Sequence, residues 1–172
     1  MIEMLPLNEE TMDLEIDLCL RFHPSGIVPD GKNAERGRAL KKRFLRRVFD
    51  KVSPAGFVAV RGGKPVGLLE LMPRAYARVS GYITGRRGHD DHTLTIACLE
   101  VAVGENRKEV MEKLVNHLTG NLRVFRPYRQ IEVGAFPGDV EFHPAWVYER
   151  SGFSVVEDRG AARLLAVLIP QK

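Results

Sequence analysis

One β-α-β unit in the second half of the chain most restricts the fold. Residues Thr93–Val103 are apolar on both faces and rich in β-branched side chains, which predicts a buried strand. Apolar residues at helical spacing predict an amphipathic helix over Glu105–Leu118, and Arg129–Phe136 is predicted as a further strand. Strands joined in this way lie parallel, with a right-handed crossover. The sheet is therefore expected to contain a parallel pair.

The other paired strands are predicted as hairpins. Gly56–Val60 and Val66–Met72 flank the turn sequence Arg-Gly-Gly-Lys. Phe153–Glu157 and Ala162–Ile169 flank the turn sequence Asp-Arg-Gly. Because hairpin strands run antiparallel, we expect a mixed, mostly antiparallel sheet.

A short strand and two helices are predicted before the first hairpin. The strand covers Met1–Leu7, and Asn8 is placed to cap a helix that runs to about Phe22, where His-Pro-Ser-Gly breaks it. The second helix is expected over about Asn33–Val52, with an apolar stripe on one side and basic residues on the other. The stripe comprises Leu40, Phe44, Leu45, Val48 and Phe49, and the basic side comprises Lys41, Lys42, Arg43, Arg46 and Arg47.

A short helix over about Pro144–Arg150 completes the order β-α-α-β-β-β-α-β-α-β-β. The polar stretch Pro73–His92 is expected to be an extended loop or a distorted hairpin. The chain has 172 residues and contains no internal repeat or linker. We therefore expect one α/β domain over residues 1–172, with helices flanking a mixed sheet.

Composition excludes several classes of protein. Hydrophobic residues make up 44% and charged residues 28% of the chain, which is ordinary for a globular protein and excludes collagen, disorder and a coiled-coil rod. No apolar window is long enough for a membrane span, and the first residues lack the features of a signal peptide. Cys19 and Cys98 lie outside any CxxC or zinc spacing, so no disulfide framework is predicted. A cytoplasmic protein is the expectation.

A run of metal-ligating residue types, His89-Asp90-Asp91-His92, lies within the polar stretch. Adjacent residues rarely converge on one ion, and no ligand from a third segment accompanies them. The run is therefore interpreted as a solvated loop, and no metal is expected.

The segment Ala145–Glu157, AWVYERSGFSVVE, carries the most informative motif. A short helix presents Tyr148, Gly152 permits a sharp exit, and Phe153 enters the last hairpin. Here the chain resembles the GNAT superfamily of acyltransferases, whose members carry Tyr-x-x-x-Gly-Phe at this place. The predicted order of elements also matches that family along essentially the whole chain.

The resemblance implies direct transfer of an acetyl group from acetyl-CoA to an amine acceptor, without a metal or a covalent enzyme intermediate. Family members acetylate antibiotics, polyamines, amino acids and proteins, and the residues of this chain do not indicate which acceptor is used. Dimers are frequent in the family, so a homodimer is implied as well, although no sequence feature specifies one.

The resemblance also implies which residues meet acetyl-CoA. Backbone groups of Val101 and Val103, at the end of the buried strand, would pair with the pantetheine and polarise the acyl carbonyl. The next loop of the family, Arg/Gln-x-x-Gly-x-Gly/Ala, holds the pyrophosphate on its amides. Here both glycine positions carry large side chains. The corresponding residues are Asn106, Arg107, Lys108, Glu109, Val110 and Met111.

This departure leaves two interpretations open. Arg107 and Lys108 could contact phosphates and partly offset the charge of Glu109. Alternatively, the loop is an ordinary helix start with acidic residues in its first turn, and the chain is a GNAT-fold binding or regulatory module that has lost acetyl-CoA.

Two side chains are candidates for proton transfer. Tyr148 corresponds to the family's general acid, which protonates the departing CoA thiolate; the alternative is a packed tyrosine. Glu100 is the candidate general base, because alternation places it with Cys98 on a face where desolvation raises a carboxyl pKa. A structural glutamate paired with an arginine is the alternative. Glu70 is the reserve candidate, and a base acting through water would need neither. His143, before the Tyr148 helix, is interpreted as a cap or turn residue.

The basic charge is concentrated in one segment. The formal net charge is +4, but residues 31–51 carry nine bases and two acids. A solvated helix face is the usual explanation. In the GNAT fold the first two helices flank the acceptor site, so the segment could also attract an acidic substrate. Nucleic-acid binding is the weaker alternative, since no aromatic interleaving or binding motif accompanies the bases.

Overall fold

The strands in the described part of the chain form one seven-stranded sheet. The structure, a computed structural model, describes residues 1–19, 31–86 and 92–171, with side chains from residue 35 onward in the helix that begins at Gly31. The strands are β1 (Glu3–Pro6), β2 (Gly56–Arg61), β3 (Lys64–Pro73), β4 (Thr93–Val101), β5 (Gln130–Ala135), β6 (Ser154–Asp158) and β7 (Arg163–Leu168). The helices are α1 (Met12–Cys19), α2 (Gly31–Phe49), α3 (Arg74–Val79), α4 (Arg107–Gly120) and α5 (Ala145–Arg150), with a 3-10 turn at Leu122–Phe125.

The sheet order is β1-β2-β3-β4-β5-β7-β6. Strands β4 and β5 are parallel, and every other neighbouring pair is antiparallel. The predicted parallel pair, both hairpins and the mixed, mostly antiparallel sheet are therefore confirmed. Gly152 has a φ of 93°, in the left-handed region where glycine is favoured, at the predicted exit from α5.

Helices cover both faces of the sheet. Helix α4 packs on the face of Gly67, where an added Cβ would lie 2.5 Å from Val110 Cγ1, so glycine lets the helix approach closely. Neighbouring residues of a strand point to opposite faces, and Leu68 packs instead with Leu18 and Cys19 of α1. Among the described helices, none is long and apolar enough to cross a membrane.

The prediction of a loop or distorted hairpin over Pro73–His92 is wrong at the start of this stretch, where α3 forms. Arg74, the first residue of α3, is buried, and its guanidinium pairs with the buried Glu132 of β5 through contacts of 2.8 and 2.5 Å. The buried positive charge of Arg74 is tolerated because the Glu132 carboxylate neutralises it and accepts its hydrogen bonds. Residues 87–91, which include most of the His-Asp-Asp-His run, lie outside the described residues.

The N-terminal helices also differ from expectation. Helix α1 begins at Met12, because the Asn8 side chain accepts hydrogen bonds from the Glu10 and Thr11 amides in a preceding turn. Its predicted end near Phe22 lies outside the described residues. In α2, Leu45 and Val48 are buried as predicted, but Leu40 is 53% exposed. Lys41, predicted on the basic outer side, contacts buried carboxylates instead.

Candidate active site

A cavity opens beside the second half of β4, where β4 no longer pairs with its parallel neighbour β5. Pairing between β4 and β5 covers only Thr93–Thr95 and Gln130–Glu132, although both strands continue beyond these residues. The cavity has a volume of about 700 Å³ and is lined by the segment Leu99–Glu105, two residues of α4, and Glu141 and Phe142. Separation of paired strands thus leaves backbone groups of β4 available to a ligand.

The backbone of β4 is oriented to use this space. The Ala102 amide donates to the Val66 carbonyl on the β3 side, at 2.9 Å. Because successive N–H groups of an extended chain point in opposite directions, the Val101 amide points to the unpaired side. Val101 and Val103, both predicted to meet acetyl-CoA, line the cavity.

Glu100 also lines the cavity. Its side chain is half-buried, and Oε2 is buried without a hydrogen-bond partner in the described structure. Burial, and secondarily the charge of Cys19, raises the pKa of this carboxyl to about 8. The group therefore changes protonation state near neutral pH, as a general base requires.

A lysine and two buried glutamates lie near Glu100. The Lys41 ammonium of α2 is 3.2 Å from Glu15 Oε1 and 2.7 Å from Glu70 Oε2, and both glutamates are fully buried. Burial, together with the charge of Glu70, raises the pKa of Glu15 to about 9. The charges of Glu70 and Glu15 outweigh burial and raise the pKa of Lys41 well above its ordinary value. Glu70, the reserve candidate base, is thus paired with an ammonium.

Glu15 and Lys41 were not singled out from the sequence. Glu15 lies at helical spacing with Met12, Ile16 and Cys19, all of them buried, so its place in an apolar stripe was the available signal. Lys41 gave no such signal, because its neighbours in the sequence are also basic.

Tyr148 is fully buried, and its hydroxyl is 2.5 Å from His143 Nδ1. His143 Nε2 is 3.1 Å from the Ala97 carbonyl of β4, which can only accept a hydrogen bond. Nε2 therefore carries the proton, and the Tyr148 hydroxyl donates to Nδ1. Burial lowers the pKa of His143 to about 4 and raises that of Tyr148 well above its ordinary value, so both side chains are neutral.

His143 was predicted only as a cap or turn residue, but its side chain also forms hydrogen bonds inside the protein. Its φ of 45° does place it in a turn, but its ring links Tyr148 to β4. The neighbouring Phe142 lines the 700 Å³ cavity, and both residues line a second cavity of about 280 Å³. Tyr148 does not line either cavity. Only the position of His143 before the motif helix could have indicated this arrangement.

Solved structures share this architecture along their whole length. An acetyltransferase of the GNAT family from Staphylococcus aureus is 10% identical and matches with a TM-score of 0.59 over 99% of this chain and 100% of its own. The aminoglycoside 6'-N-acetyltransferase from Enterococcus faecium is 16% identical, with a TM-score of 0.57 over 100% and 98%. The PaiA N-acetyltransferase from Thermoplasma acidophilum, solved with coenzyme A, is 13% identical, with a TM-score of 0.55 over 96% and 98%.

The chain has the GNAT acetyltransferase fold. No protein-family model and no curated protein matches the sequence. At these identities, the similarity establishes the fold alone.

Within the GNAT fold, the start of α4 is the place of the expected pyrophosphate loop. The Asn106 side chain caps the helix and accepts a hydrogen bond from the Glu109 amide at 3.2 Å. The Glu109 amide is therefore occupied by this bond and is not free to bind a phosphate oxygen. Val110 is fully buried against β3, while Arg107 and Met111 line the cavity.

Charged side chains at the start of α4 are also paired with one another. Arg107 donates to the Val140 carbonyl and to Asp139, each at 2.5 Å, and Lys108 Nζ lies 3.6 Å from Asp139. The Glu109 carboxylate lies 3.6 Å from Arg61 and 3.8 Å from Lys113. A pyrophosphate would have to compete with these existing partners. The unpaired edge of β4 is thus open to a pantetheine chain. The start of α4 is less suited to a diphosphate, because its charged side chains are already paired.

Proposed function

We propose that the protein is an N-acyltransferase that transfers an acetyl group from acetyl-CoA to an amine. The cavity beside the unpaired half of β4 carries this proposal, because it combines a free strand edge with the raised-pKa carboxyl of Glu100. The GNAT fold supports it, since solved proteins of this fold include acetyltransferases and one of them was solved with coenzyme A.

In the proposed reaction, the amine nitrogen attacks the carbonyl carbon of the thioester. The C–N bond forms, the C–S bond breaks, and CoA leaves as a thiolate. The backbone amides of Val101 and Val103 polarise the carbonyl, and the Glu100 carboxylate accepts the proton that the amine loses. Because the pKa of Glu100 is about 8, its basic form is a minor species at neutral pH and grows as the pH rises.

Tyr148 is the proposed donor of the proton that neutralises the thiolate. Its hydroxyl proton is directed at His143 Nδ1, so this role requires the hydroxyl to exchange that partner for the sulfur. His143 keeps the phenol protonated and anchored to β4 through Ala97. We therefore propose His143 as the residue that positions Tyr148.

A GNAT-fold binding or regulatory module is the second candidate. The occupied helix start favours it, because the Glu109 amide and both basic residues of the first turn of α4 already have protein partners. Such a module would keep the fold and lack acetyl-CoA binding.

Isothermal titration of the purified protein with acetyl-CoA at moderate salt separates the two candidates, with desulfo-CoA as the control ligand. Micromolar binding of both ligands supports the acyltransferase, since pantetheine and nucleotide contacts do not need the thioester. Absence of heat and of a thermal shift at millimolar ligand would assign the protein to the binding module.

A further inference from the structure

The two cysteines of the chain meet in the folded protein. Cys19 is the last described residue of α1, and Cys98 lies on β4. They pack together with Leu18 and Leu68 in one buried cluster. Both side chains are buried, with 9% of Cys19 and 6% of Cys98 exposed. Both are free thiols.

The surroundings shift the pKa values of the two thiols in opposite directions. The neighbouring Cys98 thiol, together with the charge of Lys41, lowers the pKa of Cys19 to about 7 against the effects of burial and of the charge of Glu70. The neighbouring Cys19 and burial raise the pKa of Cys98 well above its ordinary value. The Tyr82 hydroxyl lies 3.9 Å from Cys98 Sγ. Cys19 therefore has the lower pKa of the pair and forms a thiolate more readily than Cys98.

We propose that Cys19 and Cys98 form a reversible disulfide in response to hydroperoxides, with Cys19 as the attacking thiol and Cys98 as the resolving thiol. The packing of the two cysteines in one buried cluster, and the ammonium of Lys41 bound to Glu15 on the same helix as Cys19, carry the proposal. It is independent of the proposed acyl transfer.

The chemistry balances in two steps. The Cys19 thiol first loses its proton to the solvent. Its thiolate attacks one peroxide oxygen, an S–O bond forms, the O–O bond breaks, and the released hydroxide takes up that proton to become water. The Cys98 sulfur then attacks the Cys19 sulfenic acid. An S–S bond forms, the S–O bond breaks, and the Cys98 proton leaves with the hydroxide as water. Overall, two thiols are oxidised to one disulfide while hydrogen peroxide is reduced to water.

The disulfide would join α1 to β4 close to Glu100. Helix α1 packs on β3 and β4, and Cys98 lies two positions before Glu100 on the same face of β4. The bond therefore links an oxidising signal to the face of the sheet that carries the candidate base. Such intramolecular disulfides are the kind expected of a redox-sensing protein.

Mass spectrometry of the full-length protein tests this directly. The reduced protein is treated with hydrogen peroxide, denatured, and alkylated before and after dithiothreitol. We expect complete loss of alkylatable thiols, a mass decrease of two hydrogen atoms, a peptide containing both cysteines, and full reversal by dithiothreitol. Free thiols after peroxide, irreversible oxygen addition, or a disulfide between two chains would overturn the proposal.

Two single variants test the separate roles. In Cys98→Ser, the Cys19 sulfenic acid has no resolving thiol, so dimedone should label it after peroxide treatment. In Cys19→Ser, Cys98 should remain unlabelled and fully alkylatable. Circular dichroism verifies that both variants fold, and the wild-type mass measurement stands independently of them. Equal labelling of the two variants would contradict the assigned order of attack.

Discussion

At the scale of single residues, Tyr148 and His143 connect α5 to β4 through two hydrogen bonds. The phenol donates to Nδ1, and Nε2 donates to the Ala97 carbonyl. Both side chains are fully or almost fully buried, so loss of either bond leaves a polar atom without water. The Tyr148 hydroxyl is also the proposed proton donor. Its structural role and its catalytic role must therefore be separated by experiment.

Replacement Tyr148→Phe should lower the turnover number while leaving acetyl-CoA affinity largely intact. It should also lower the free energy of unfolding by about 1–3 kcal/mol, because His143 Nδ1 loses its donor. Steady-state kinetics, titration calorimetry and urea unfolding measure the three quantities. Tyr128→Phe is the matched control, since it removes another largely buried hydroxyl, bonded to the Lys51 carbonyl, away from the site. An unchanged rate would remove Tyr148 from the mechanism.

Replacement Glu100→Gln should reduce the turnover number by roughly 10² to 10⁴, the usual contribution of a general base. In the wild type, kcat/KM should rise with pH and level off above about 8, because only the carboxylate accepts the amine proton. The variant should lose this rise while its acetyl-CoA affinity is retained. A wild-type pH profile that the variant reproduces would show that proton removal proceeds through water or another group.

At the scale of elements, the start of α4 combines a helix cap with a charge network. The Asn106 cap and the ion pairs of Arg107 and Glu109 stabilise the first turn without any ligand. In the proposed acyltransferase the pyrophosphate of acetyl-CoA lies against this turn and must displace some of these partners, whereas the binding module keeps them all.

Replacement Glu109→Gln should tighten acetyl-CoA binding by about three- to fivefold at low salt, and less at high salt, because a half-exposed negative charge is removed near the phosphates. Titration calorimetry at two salt concentrations measures this change. Glu112→Gln removes an equal charge from the same helix, where the side chain pairs with Arg150, and should have a smaller effect. Absence of detectable acetyl-CoA binding in the wild type and in both variants would favour the binding module. Equal measurable affinities in all three would show that the charge of Glu109 does not oppose the phosphates.

Element order was predictable because hydrophobic periodicity is a local property. The β-α-β unit, the hairpins and the motif helix all form where their patterns indicated. Helix α3 was missed, because Arg74 has the character of a polar surface residue until Glu132 of β5 is brought beside it. The inward position of Lys41 was missed for the same reason, since its partners come from α1 and β3.

At the scale of the whole molecule, ionisable groups from α1, α2, β3 and β4 share one side of the sheet. Glu15, Lys41, Glu70 and Glu100 interact electrostatically across these elements. Burial favours the neutral form of Glu15, with a pKa of about 9 in place of 4.5. Between these two values the folded protein holds a proton that the unfolded chain has released. The free energy of unfolding must therefore fall as the pH rises through this range.

Replacement Glu15→Gln should flatten that dependence. Urea unfolding at pH 6 and pH 8.5 should show a larger loss of stability in the wild type than in the variant. Glu100 contributes in the same direction up to its pKa of about 8 and is present in both proteins. Glu10→Gln, at an exposed position, is the control and should retain the wild-type dependence. An identical pH dependence in the Glu15 variant would show that Glu15 is ionised in the folded protein.

Local sequence patterns were enough to determine the order of the elements apart from α3, the mixed sheet with one parallel pair, and the short helix that carries Tyr148 and leads to Gly152. These features depend on side-chain periodicity and turn residues within short segments. Tertiary structure alone decided that β4 separates from β5, that Lys41 lies between Glu15 and Glu70, and that Cys19 meets Cys98. Each of these contacts joins residues from distant segments, and their free energies depend on burial and on partners that no local pattern specifies.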